Sequence, residues 1–134
     1  MVMLGEFPML NKEELGVSKN RIFLPSWTKA EEKETLVLSY CDDGLGIKIQ
    51  ALESVKDIFD GKCGEEIFND FIISCIGNVQ VSSQRRLSLG VDICEKMGIS
   101  DSVYLVGFYN HLRLYPSKEK FEECFKGRNT GLRK

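Results

Sequence analysis

Apolar residues alternate with polar ones over several short stretches of the chain, and the two hairpins among them are each followed by apolar residues at helical spacing. Thr35 to Tyr40 reads as a buried strand, Cys41-Asp42-Asp43-Gly44 as a hairpin turn, and Leu45 to Ile49 as the returning strand. A second hairpin is predicted from Val103 to Phe108 and Leu112 to Tyr115, turning at Tyr109-Asn110-His111. Val79 and Val81 share one strand face, after which Ser83-Gln84-Arg85-Arg86 turns the chain into Leu87-Ser88-Leu89 and Gly90 ends the run. Nearer the start, Met1 to Phe7 reads as a strand ended by Pro8, Asn11 to Gly16 as a polar turn, and Ile22 to Leu24 as a strand stopped by Pro25.

Four segments carry the 3.6-residue period. Gln50 to Asp60 places Leu52, Val55, Ile58 and Phe59 on one face, with Gly61 where a C-terminal cap belongs. Glu65 to about Cys75 does the same with Ile67, Phe68, Phe71, Ile72 and Cys75, and both helices are expected to cover one side of the strands. Val91 to Met97 turns Val91, Cys94 and Met97 inward and closes at Gly98. Ser117 caps a last helix running to about Phe125, with Phe121, Cys124 and Phe125 inward. Ser26 to Glu34, with Ser26 as N-cap, suits a short helix or turn.

The pattern repeats. Setting Arg21 on Arg86 aligns SKNRIFLP with SQRRLSLG, and a two-residue shift aligns LVLSYCDDGLGIKI with VYLVGFYNHLRLYP, each followed by an amphipathic helix. A unit of about 40 residues buries too little surface to fold alone, so two units are expected to interleave into one core. The expected division is a single domain, 1–134, with a first unit at 1–60, a connecting helix at 61–77, a second unit at 78–125 and a flexible basic tail at 126–134.

Composition narrows the function. The 134 residues carry a formal charge of −2, so any nucleic-acid contact must come from local basic patches rather than a global field. Those patches are the turns that hold Lys19, Arg21, Arg85 and Arg86; Lys126, Arg128, Arg133 and Lys134 form a secondary candidate, although such terminal runs are commonly just solvated. Five scattered cysteines lack the close pairs of zinc or redox motifs and read as buried reduced thiols. His111 is the only histidine and reads as a surface turn residue; no nucleophile, metal-ligand spacing or phosphate-cradling glycine loop accompanies it, so no enzyme, metal or cofactor is expected. Tyr104, Phe108, Tyr109 and Tyr115 read as core or subunit contacts rather than base-stacking platforms. The apolar start has no basic leader and is too short to span a membrane, which suggests a cytoplasmic protein.

The chain resembles the MraZ family of bacterial proteins, built from two tandem AbrB-like swapped-hairpin units. Gly5-Glu6-Phe7 resembles the family's opening, Phe68 to Gly77 its joining helix, and Gly98-Ile99 with Val103-Tyr104-Leu105-Val106-Gly107 its most recognisable segment. Arg21 and Arg86 match the arginines of the family's Asp-x-x-x-Arg turns, whereas Val17 and Ser82 stand at the aspartate positions, Asn20 and Arg85 replace glycines, and Gly90 replaces a proline. The resemblance implies an α+β, β-rich fold in which the units form a pseudo-symmetric double-ψ-like β-barrel with short flanking helices. It also implies a nucleoid-associated, ring-shaped homo-oligomer that regulates transcription by binding double-stranded promoter repeats of the division and cell-wall gene cluster. The rival expectation is a degenerate oligomeric scaffold or antitoxin-like interaction module without specific DNA binding.

Overall fold

The computed structural model describes residues 11–41, 44–108 and 111–123. The strand expected at Met1 to Phe7, the turn residues Asp42, Asp43, Tyr109 and Asn110, and everything from Cys124 onward lie outside them. The chain begins with β1 (Lys12–Gly16) and β2 (Arg21–Phe23), then a 3-10 turn (Ser26–Thr28), the hairpin β3 (Thr35–Tyr40) and β4 (Ile47–Ala51), and α1 (Leu52–Phe59). It continues through α2 (Glu65–Ser74), β5 (Cys75–Gln80), β6 (Arg86–Ser88), α3 (Val91–Met97), β7 (Ser102–Gly107) and β8 (Leu112–Tyr115), ending in a short helix α4 at 118–123. The fold is α+β, with an antiparallel, β-rich core and, among the described residues, four short helices.

Six strands form one sheet in the order β1-β7-β8-β4-β3-β5, and β2 pairs with β6 as a separate ribbon. Among the described residues these pairings close no barrel. The order is palindromic: exchanging β1 to β4 for β5 to β8 returns the same sheet. Strand β1 of the first half lies beside β7 of the second, and β5 of the second beside β3 of the first. Two backbone bonds repeat the exchange, from Val17 N to Asp101 O at 2.8 Å and from Val81 N to Glu34 O at 2.9 Å.

Alternation along the strands decides which face is dry. Leu36, Leu38, Ile47, Ile49, Leu105 and Leu112 all point to one face, and the ribbon lays Ile22, Leu24, Leu87 and Leu89 over it to make the main core. On the opposite face Val106, Tyr115 and Phe121 form a smaller cluster under α4, with Phe121 meeting Tyr115 and Tyr104 at ring distances of 5.3 and 5.6 Å. The amide of Lys120 donates to Ser117 Oγ at 3.2 Å, so Ser117 caps this helix as expected.

Several expectations change. Asn11 to Gly16 is not a turn: residues 12–16 form an edge strand, which its pattern hides because Leu15 alone faces the core. Ser26 is not an N-cap; Pro25 takes that position, the helical segment lasts three residues, and Lys29 ends it in left-handed backbone. Helix α2 forms where expected but buries no residue, leaving Ile67, Ile72 and especially Ile73, 83% exposed, in solvent. Phe71 of this helix meets Phe59 of α1 edge to face, with ring centres 5.1 Å apart. Val91 is exposed rather than inward, whereas Cys94 is buried. Cys41 is also buried, but Cys63 is exposed and Cys75 only half-buried, because they lie at a turn and on an edge strand.

Candidate nucleic-acid interface

Both basic turns depend on left-handed backbone. In the first, Ser18 and Arg21 exchange two backbone hydrogen bonds of 3.0 Å around Lys19 and Asn20, whose φ angles are 54° and 63°. Positive φ at both central residues is the signature of a tight hairpin turn whose twist matches the strands, and asparagine tolerates it well. The second turn is one residue longer: Ser82 N donates to Arg86 O, Arg85 N donates to Ser82 O, and Arg85 takes the left-handed position at φ 57°. Asn20 and Arg85, aligned with glycines by resemblance, therefore stand where glycine's freedom is useful.

The extra residue shifts the alignment. Val17 corresponds to Val81 by their matching backbone partners, which leaves Ser18 opposite Ser82. Ser82 supplies a side-chain acceptor all the same: its Oγ receives the amides of Arg86 at 3.1 Å and Gln84 at 3.4 Å. A hydroxyl thus organises the second turn in the way a short carboxylate would. Val17 has no such group, and the first turn is held by its backbone bridge.

Register then sorts the arginines. Arg21 pairs with Ser88, Ile22 with Leu87 and Phe23 with Arg86, so Ile22 and Leu87 face the core while Arg21, Phe23 and Arg86 share the ribbon's outer face. The Arg86 guanidinium lies 4.5 Å from the centre of the Phe23 ring, a cation–π contact across the pair. Beside this face is an open cavity of about 580 Å³, lined by Lys19, Arg21, Arg86 and Phe23 and floored by Leu15 and Ile22. No carboxylate lines it among the described residues. Arg86 Nε is shielded from solvent and has no hydrogen-bond partner among the described residues.

Arg85 is not part of this cluster. Its Nη2 donates to Leu24 O at 3.1 Å while its own carbonyl accepts Leu24 N at 2.9 Å, so it braces one half against the other. Lys126, Arg128, Arg133 and Lys134 lie outside the described residues. Phe23 is the residue that sequence reasoning missed. It stands two positions from Arg21, and strand parity would have put it on the same face.

His111 also departs from expectation. It is half-buried, stacked on Phe108 at 5.0 Å between ring centres and accepting Arg113 Nε through Nε2 at 3.0 Å. Burial, reinforced by the charges of Arg113 and Lys48, lowers its pKa to about 4. Phe108 and Tyr115 are therefore packing residues, the latter fully buried. Among the described residues no three His, Cys, Asp or Glu side chains are grouped to hold a metal ion, and no helix is long and apolar enough to cross a membrane.

No family model matches this chain, and no curated protein matches it either.

Proposed function

We propose that this chain is a divergent MraZ-type regulator, two copies of one swapped-hairpin unit that bind double-stranded promoter repeats of the division and cell-wall gene cluster. One observation carries the reading: Lys19 and Arg21 of the first turn and Arg86 of the second converge on one side of a ribbon contributed by both halves. The palindromic strand order supports the duplication, and the ribbon packed across the sheet is consistent with a double-ψ-like arrangement.

Arg21 and Arg86 contact phosphates and, with their forked guanidinium groups, guanine edges in the major groove; Lys19 adds a phosphate contact. Arg85 contributes by holding the turn. With a net charge of −2 a single chain binds weakly, and assembly into a homo-oligomer gives the avidity that repeated sites reward. The uncovered Ile67, Ile72 and Ile73 of α2, next to the edge strand β5, support such assembly. In this reading the protein is cytoplasmic and nucleoid-associated.

Those same isoleucines favour the second reading, an oligomeric interaction module without specific DNA binding. Fluorescence anisotropy with repeat-containing DNA from upstream of the protein's own operon separates the two. Salt-sensitive binding that disappears in Arg21→Gln/Arg86→Gln, in a variant that still oligomerises, supports the regulator; no binding near physiological salt supports the scaffold.

A further inference from the structure

The cavity beside the ribbon has features that duplex recognition does not need. Arg86 is only part-exposed, its Nε is cut off from solvent without an acceptor among the described residues, and one flank of its guanidinium is covered by Phe23. A buried guanidinium nitrogen without a partner calls for a specific explanation in a native fold. Around it the cavity gathers two further cations, Lys19 and Arg21, and no described carboxylate, over a floor formed by Leu15 and Ile22. Its volume of about 580 Å³ falls in the range of small-molecule sites, which combine apolar walls with a few converging polar groups.

We propose that this cavity is a binding site for a small phosphate monoester with an aromatic or apolar body, and that its occupant regulates DNA binding by competing for Lys19, Arg21 and Arg86. The phosphate dianion supplies the countercharge that Lys19, Arg21 and Arg86 lack among the described residues, and it accepts charge-assisted hydrogen bonds from the Arg21 guanidinium and from the terminal Nη groups of Arg86. The body lies on Leu15 and Ile22 and against Phe23, which is 56% exposed and completes its burial when the site is filled. The competition rests on the DNA-binding reading; the site itself does not.

Phenyl phosphate is the probe, titrated into the full-length protein by calorimetry without DNA, with inorganic phosphate and phenol as its two fragments. The expected result is saturable binding of phenyl phosphate, tighter than either fragment and weakened roughly ten- to a hundredfold in Arg86→Gln, the effect of removing a charge-assisted bond. Arg86→Lys, which keeps the charge, retains part of the affinity, and Lys62→Gln, altering an exposed residue paired with Asp57, leaves it unchanged. Phe23→Ala removes the advantage of phenyl phosphate over inorganic phosphate while the thermal melt still shows a folded protein. Addition of phenyl phosphate then lowers DNA affinity competitively. Absence of saturable binding, or binding indifferent to Arg86→Gln, overturns the site. Binding that leaves DNA affinity unchanged overturns the regulatory role. Phenyl phosphate binding by a protein that fails to bind DNA overturns the DNA-binding reading and leaves the site standing.

Discussion

Asn20 and Arg85 hold equivalent left-handed positions, and each accepts through its carbonyl the amide of a leucine in the opposite half: Leu89 N to Asn20 O at 2.8 Å, Leu24 N to Arg85 O at 2.9 Å. The two turns that present the basic residues are thereby tied to each other, and neither can shift without pulling on the other half's strand. Arg85 adds a second tie through Nη2, so its side chain belongs to the scaffold, whereas Arg86 stands opposite Phe23 on the ribbon's outer face.

This division of labour predicts a contrast at Arg85. Arg85→Gly loses the Nη2 bond but relieves left-handed strain of about 1 kcal/mol, so stability stays within about 1 kcal/mol of wild type and DNA affinity within about twofold. Arg85→Val, β-branched at φ 57°, loses the bond and adds strain, and destabilises by about 2 kcal/mol or more. Urea denaturation and anisotropy on both variants check this; an Arg85→Gly variant that stays folded yet loses DNA binding would mean that the side chain contacts DNA.

Gly107 is held small by Trp27. A methyl group there would lie 2.7 Å from Trp27 Cζ3, and the indole is fixed by its Nε1–H donating to Glu13 Oε1 at 3.0 Å. Gly107→Ala therefore displaces the ring from the β1–β7 edge at a cost of about 1–3 kcal/mol. Trp27 is the chain's single tryptophan, so its emission reports the change directly as a red shift in the native state.

His111 makes the fold sensitive to acid. Its pKa of about 4 in the fold lies below the unfolded value near 6.5, so the unfolded chain binds the proton first. Its contribution to stability is constant above pH about 6.5, falls as the pH drops through the interval and levels off below about 4. Replacing it by Gln removes that component: the difference in melting temperature between wild type and His111→Gln should change steadily from pH 7 to pH 4, moving against wild type. A pH-independent difference would show that the histidine is not held neutral.

Much of this was legible because strand parity and helix period report burial. The β3–β4 hairpin, β8, α1 to α3 and the inward Val55, Cys94 and Phe121 follow from pattern alone. Strand β1 was hidden because KEELG shows one inward residue, and only pairing with Tyr104 and its neighbours reveals it. Helix α2 shows the opposite failure. A periodic apolar stripe says that a face wants covering, not that the same chain covers it. At the candidate site the arginines could be picked out by charge, but their separation into a brace, Arg85, and an outer-face residue, Arg86, depended on the Phe23–Arg86 register, a pairing of strands over sixty residues apart in the chain.

If α2 packs on a second copy, Ile73→Glu disperses the assembly while leaving the fold of each chain within about 0.5 kcal/mol, because that side chain is 83% exposed in the single chain. Light scattering after size exclusion reads the mass, and an unchanged assembly would place the interface elsewhere.

Whether the ribbon carrying Arg21 and Arg86 binds promoter DNA is decided by the salt dependence of anisotropy with the repeat-containing upstream fragment. Wild type should bind near physiological salt with log K falling linearly against log salt. Arg21→Gln/Arg86→Gln should bind at least tenfold more weakly at unchanged oligomer mass, with a slope shallower by roughly 0.9 for each phosphate that is no longer neutralised. Equal affinity and slope for the two proteins, or no binding by wild type, would contradict DNA binding by this ribbon.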